Sequence, residues 1–147
     1  MKVLLKTLVL LLMITPFLAD AQCRSHSKRK CLPELAPYVS SGQLSTAMVF
    51  PGDDAEIMLT FTSGQSYRVL VCAEEILGEV EYKIRDIDRN IIYDSAKDPQ
   101  AKSYFDFKVS ATQQLIVEIN VPIDEAHKVT HDIQIQGCLS IITGFKE

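Results

Sequence analysis

The chain has 147 residues, of which 47% are hydrophobic, 23% charged and 7% aromatic, with 15 basic against 19 acidic groups and a net charge of -4. That composition excludes a disordered chain, a collagen and a polytopic membrane protein, and the acidic balance argues against nucleic acid as a partner. Six Gly and six Pro are ordinary usage, and the length suits one domain with a core of its own.

Lys2 and Lys6 flank the start of an apolar run, Val3 to Leu18, that ends at Ala19-Asp20-Ala21. A positive start, an apolar stretch and an A-x-A end define a signal peptide over residues 1–21. Pro16 and Asp20 cut the run short of the roughly 20 apolar residues that a membrane span needs, so no span is expected after cleavage. Gln22 stands where lipid attachment to Cys23 would want a small residue. Losing two lysines and one aspartate takes the net charge from -4 to -5. The expected location is the periplasm or the outside of the cell.

Cys23, Cys31, Cys72 and Cys138 all lie beyond the cleavage site. An even count in an exported domain reads as two disulfides in an oxidising compartment. Zinc prefers C-x2-C pairs or cysteines with histidine close by, and the step from Cys23 to Cys31 matches neither. Of the three connectivities, Cys23 with Cys31 and Cys72 with Cys138 is favoured, because the first pair brackets one polar stretch and the second sits in apolar β runs.

Between the first two cysteines, Arg24, Lys28, Arg29 and Lys30 crowd into seven residues. Such a run serves as a contact for anionic glycan or membrane headgroups, or as a solvated arm; in an acidic chain the arm is favoured. Leu32, Leu35, Ala36 and Val39 have helical spacing, which Pro33 and Pro37 limit to about one turn. Ser40-Ser41-Gly42 then reads as a break. Residues 22–50 are accordingly expected to form an arm and a turn, and residues 51–147 the folded β domain.

From Pro51 the apolar period becomes two, the mark of half-buried strands. Ile57, Leu59 and Phe61 share a face, as do Tyr67, Val69 and Val71 after the turn at Ser63-Gly64-Gln65-Ser66. Val80, Tyr82 and Ile84 alternate with charged residues, and the polar reversal from Asp86 to Asn90 leads into Ile91-Ile92-Tyr93, which predicts a hairpin. Phe105, Phe107 and Val109 follow, then Leu115, Val117, Ile119 and Val121 up to Pro122. Ile133, Ile135, Leu139 and Ile141 form the last stretch. The residues expected inside are Ile57, Leu59, Phe61, Tyr67, Val69, Val71, Val80, Tyr82, Ile84, Phe105, Phe107, Leu115, Val117 and Ile119. Seven or eight short strands without room for crossover helices predict an all-β, jelly-roll-like antiparallel β-sandwich, with a closed barrel second.

The stretches Phe61 to Cys72, Tyr82 to Asp86, Phe105 to Val109 and Gly137 to Lys146 resemble a group of small exported proteins of the Bacteroidota. Their strand plan is similar to that of pre-peptidase C-terminal domains. The resemblance covers nearly all of the chain beyond residue 21 and implies a β-sandwich. It rests on strand and turn residues, so it brings no catalytic residue with it.

Asp86-x-Asp88-x-Asn90 begins like an EF-hand loop, but Ile91 and Lys97 stand where that loop needs Gly and Glu. Asp86, Asp88, Asn90 and Asp94 remain the candidate ligands of a looser calcium site. The competing reading is a hairpin turn, which favours Asp and Asn for their bonds to local backbone. Gly52-Asp53-Asp54 is read as a loop on the same grounds. His127 and His131, with Asp124, Glu125 and Asp132, would share a face only on a helix, and Pro122 and Val129-Thr130 argue for a loop. Gly64-Gln65-Ser66-Tyr67-Arg68 lacks the last glycine of a nucleophile elbow. Adjacent acids such as Glu74 and Glu75 diverge on an extended chain and make no glycosidase pair.

These observations predict a non-enzymatic, exported binding or accessory module without a cofactor. Its expected partner is a cell-surface or extracellular protein or a glycan, although the absence of Trp disfavours a sugar platform. The alternative is a small secreted hydrolase, or an enzyme inhibitor with a shallow surface site.

Overall fold

The computed structural model describes residues 18–123 and 135–147. Most of the expected signal peptide, and the segment holding His127 and His131, lie outside these residues. Eight strands are present among the described residues: β1 (Val39–Val49), β2 (Asp54–Phe61), β3 (Ser66–Ala73), β4 (Glu81–Arg85), β5 (Ile91–Asp94), β6 (Tyr104–Lys108), β7 (Gln113–Asn120) and β8 (Gly137–Lys146). They form two four-stranded sheets, in the orders β1-β8-β3-β6 and β2-β7-β4-β5. The antiparallel ladders nest, β1 with β8, β2 with β7, β3 with β6 and β4 with β5. One long hairpin, with β4 and β5 at its tip, has rolled up so that successive pairs alternate between sheets. This is a β-sandwich of the jelly-roll type, as expected.

The period-two pattern places the core. Ten of the fourteen residues expected inside are buried, and Ile57, Val80, Phe105 and Phe107 are half-buried against them. Phe61 meets Tyr67 and Phe107 edge to face, each at 5.0 Å between ring centroids. A register slip of one residue would have turned this whole set to solvent.

The first sheet is covered on its other face as well. In β3, Arg68, Leu70 and Cys72 alternate with Tyr67, Val69 and Val71, and all six are buried. In β8, Ile142 lies opposite Leu70 on that second face. Leu35, Tyr38 and Cys31 pack onto them and form a separate cluster. Gly144 makes the approach possible: a Cβ there would stand 2.8 Å from Leu35 Cγ and 2.9 Å from Tyr38 Cβ. Gly144→Ala is expected to lower stability by about 1–3 kcal/mol through overpacking. An unchanged urea midpoint would show that the N-terminal segment does not lie on β8.

That segment corrects three expectations. First, the basic stretch is not a free arm. Helix α1 (Leu18–His26) continues into a π-helical turn (Ser27–Cys31) and a 3₁₀ turn (Leu32–Leu35). Cys23, Ser27, Cys31 and Leu35 are its buried residues, one in every four. An α-helix of 3.6 residues per turn would carry that stripe progressively round the axis, and the wider π turn unwinds it enough to keep the stripe on the sheet. Second, the disulfides are Cys23–Cys138 and Cys31–Cys72, with Cα separations of 5.1 and 5.8 Å. With both early cysteines on one buried stripe, each faces a strand rather than the other. Third, Ser40-Ser41-Gly42 does not end the chain's order but lies inside β1, where the register against β8 shifts between Ser40 and Leu44. Gly42, at φ 84°, accommodates this bulge on an edge strand. The Ser41 hydroxyl secures it by donating to the Thr143 carbonyl at 3.0 Å. Residues 22–50 thus supply a sheet strand and a covering layer to the sandwich.

Candidate functional site

A concavity among the described residues lies where the two sheets part. β6 pairs with β3 only from Ser66 to Leu70, and the Val71 amide then donates to the Ser103 carbonyl at 2.7 Å. The end of β3 therefore looks across a groove of about 560 Å³ at the start of β4 and the segment from Ser95 to Ser103. Its walls are set by local chemistry. The Asp94 carboxylate caps the 3₁₀ turn Ser95–Lys97 by accepting from the Ala96 amide. Ser95 Oγ accepts from the Tyr82 amide at 2.8 Å, and Tyr82 donates its hydroxyl to the Lys102 carbonyl at 3.0 Å. Asp98 accepts from the Gln100 amide at 2.9 Å and from the Tyr93 hydroxyl at 3.0 Å.

The rim is acidic. Glu79, Glu81 and Asp98 face the groove against Lys102, the single lining cation among the described residues, which donates to the Tyr104 hydroxyl at 3.3 Å. Glu79 and Glu81 are exposed and have no ion pair among the described residues. Burial pushes the Tyr82 and Tyr93 phenols above their ordinary range. They therefore remain neutral near pH 7 and act as hydrogen-bond donors. With Ser95 and Asp98 engaged in holding the wall, the free chemistry of the groove is the negative charge of Glu79 and Glu81.

The candidate calcium ligands are only partly brought together. Asp86 Oδ1 accepts from the Asn90 amide, and Oδ2 from Asn90 Nδ2, each at 2.8 Å. These bonds to Asn90 hold the Asp86 carboxyl below the usual carboxylate range. The Arg89 amide donates to the Asp86 carbonyl at 3.0 Å, with Arg89 itself at φ 66°. Asp88 is exposed in the same turn. Asp94 instead caps the 3₁₀ turn behind the groove, 3.5 Å from Lys97 Nζ. The Asp86 carboxylate is thus engaged by the turn's own donors.

Several of the other singled-out residues have structural partners, while Glu75 is exposed. Asp53 accepts from the Phe50 amide at 2.9 Å, and Asp54 from Asn120 Nδ2 at 2.8 Å. Arg68, at the end of the failed nucleophile elbow, is a buried clamp on Asp106. Glu74 accepts from the Cys138 amide at 2.8 Å and lies 3.5 Å from His26 Nδ1. His26, Cys31 and Cys72 form the one metal-type trio among the described residues, and the disulfide consumes both of its sulfurs.

Sequence reading did not find the groove, because its residues come from three separate segments. The density of Glu74, Glu75, Glu79 and Glu81 was visible, but which of them face one concavity depends on how the sheets close. The described helix does not offer a membrane span: among the described residues none is long and apolar enough to cross a bilayer.

No protein-family model matches the chain, and no curated protein matches it. Among solved structures the chain is similar to PliG of Aeromonas hydrophila, a periplasmic lysozyme inhibitor of g-type lysozyme. The TM-score is 0.49 at 10% sequence identity, and the match covers 75% of this chain and 89% of that one.

Proposed function

We propose that this protein is an exported, non-enzymatic binding module whose acid-rimmed groove takes a positively charged segment of a protein partner. The observation that carries this reading is the pair Glu79 and Glu81, exposed and without an ion pair among the described residues, on the lining of a groove of about 560 Å³. A groove of a few hundred cubic ångströms with a few polar groups converging on it is the usual form of a binding site. Two disulfides support export, since they persist in oxidising compartments. Inhibition of a secreted enzyme is one form of this binding, in which Glu79 and Glu81 meet cationic groups around the enzyme's cleft. A hydrolase reading gains nothing from the groove, where Ser95 and Asp98 are committed to its wall.

A tetra-arginine peptide is a direct probe. It is expected to bind with an affinity that falls as salt is raised, and to shift the backbone amide resonances of residues 78–82 and 98–103. Glu79→Gln with Glu81→Gln is expected to weaken it about five- to tenfold, at about 0.5 kcal/mol or more per exposed charge. Asp88→Asn, in the distant turn, serves as the control. Equal binding by all three proteins would remove the groove from consideration.

A further inference from the structure

The strongest feature outside the groove is the basic helical segment. Arg24, Lys28, Arg29 and Lys30 are exposed and make no ion pair among the described residues. We propose that this segment is a second binding site, for a polyanionic polysaccharide.

The cations stand in the last turns of the α and π segments, where the helix dipole favours positive charge, yet four of them within seven residues also repel one another. Arg24 and Lys28 are four apart, a like-charge pair that destabilises a helix, and Arg29 and Lys30 add to the repulsion. The π turn has no side-chain cap. A segment this short and this charged would not hold helical form alone. It is held by covalent bonds at both ends of the basic run, through Cys23 to β8 and through Cys31 to β3. Unpaired like charges kept on a rigid platform are a local conflict of the kind that marks function. A ligand binding there meets cations whose backbone is already ordered, which reduces the entropy lost on association.

The placement selects the ligand class. With the buried stripe recurring every fourth residue, Arg24 and Lys28 fall in one column, Arg29 in the next, and Lys30 with His26 in the third. The cations fan around the helix, so a linear chain crossing it can reach them all, whereas a flat bilayer meets only part of the fan. Leu32 is the only exposed large apolar side chain described in this segment, too little for insertion into a membrane. Beside Arg24 runs a groove of about 360 Å³ whose other lining residues, among those described, are Leu44, Ser45 and Thr46 of β1. A guanidinium next to two hydroxyls suits an acidic substituent beside sugar hydroxyls. Asp20, four residues before Arg24, falls in the expected signal peptide; among the residues whose side chains are described, the acids nearby are Glu34, exposed beyond Cys31, and Glu74, which faces His26. Neither is paired with the four cations.

The test uses the oxidised protein with a heparin octasaccharide, a neutral maltooctaose, and vesicles containing anionic phospholipid. The octasaccharide is expected to bind, with a log–log salt slope of about -2 to -3 for four cations, while maltooctaose does not. Replacing Arg24, Lys28, Arg29 and Lys30 together by Ser is expected to weaken binding at least about tenfold, with the melting temperature retained. Lys28→Ser and Arg29→Ser, each expected to weaken it about two- to threefold, keep the test decisive if the quadruple variant unfolds. Glu79→Gln with Glu81→Gln leaves octasaccharide binding intact, which separates this site from the acidic groove. Undiminished binding by the folded variants, equal binding of maltooctaose, or tighter binding to the vesicles would overturn the proposal.

Discussion

Removing the Cys23–Cys138 bridge by paired alanine substitution is expected to lower stability by about 5 kcal/mol, and removing Cys31–Cys72 by about 4 kcal/mol. The first closes a loop of 115 residues and the second one of 41. Chain entropy in the unfolded state grows with the logarithm of loop length, so the longer loop gives the larger effect by about 1 kcal/mol. The pairing expected from sequence implied the opposite order, with Cys72 mattering more than Cys23. Either loss is comparable with the about 5–15 kcal/mol of a whole domain. Loss of either bridge also frees one end of the covering segment over Leu70 and Ile142, which adds exposure of apolar surface. Urea titrations of the two paired variants measure the order directly. A larger loss from the Cys31–Cys72 pair would mean that burial at that contact, rather than loop closure, sets its contribution.

Why the pairing was misread and seven of the eight described strands were not is a matter of range. Val69 and Val71, or Val117 and Ile119, announce a buried face within five residues of chain, because a strand's period needs only itself and one core. β1 gave no such signal: it is an edge strand with a bulge at Gly42, and its side chains are mostly half-exposed. The second face of β3 did leave a trace. Leu70 and Cys72 are apolar where a one-sided strand would be polar, and Ile142 repeats this in β8. A strand apolar on both faces requires a second covering layer, and the stripe Cys23, Ser27, Cys31 and Leu35 is what supplies it. The two patterns lie tens of residues apart, and neither identifies the other until cysteine pairing joins them. The acidic groove left less still, since its shape comes from the early end of β6 against β3 rather than from any one segment.

The same covering layer hangs on Arg68, and Arg68→Ala is expected to lower stability by about 3–4 kcal/mol. The side chain is 8% exposed on the outer face of the first sheet. Its Nε and Nη2 donate to the two Asp106 oxygens at 2.7 and 2.8 Å. Nη1 donates to the Ala36 carbonyl at 2.9 Å and the Glu34 carbonyl at 3.3 Å, closing the end of the 3₁₀ turn. The guanidinium lies 3.7 Å from the Tyr104 ring centroid and 4.6 Å from that of Tyr38. Hydrogen bonding to Asp106 raises its pKa above the ordinary arginine value, so it stays charged wherever the protein folds. One side chain thus joins β3, β6 and the N-terminal layer, and its removal leaves two carbonyls and two rings without their shared partner. Asp106 is 37% exposed, so water can take its place beside the guanidinium, and Asp106→Asn is expected to lower stability by only about 1–2 kcal/mol. Lysine at position 68 has no planar fork to reach both the carboxylate and the carbonyls, and should recover little of the loss. In a double-mutant cycle, Asp106→Asn is expected to add nothing once Arg68 is Ala, because its partner is already gone. Equal losses from the two single variants would locate the stability in the ion pair alone and leave the covering layer to its disulfides.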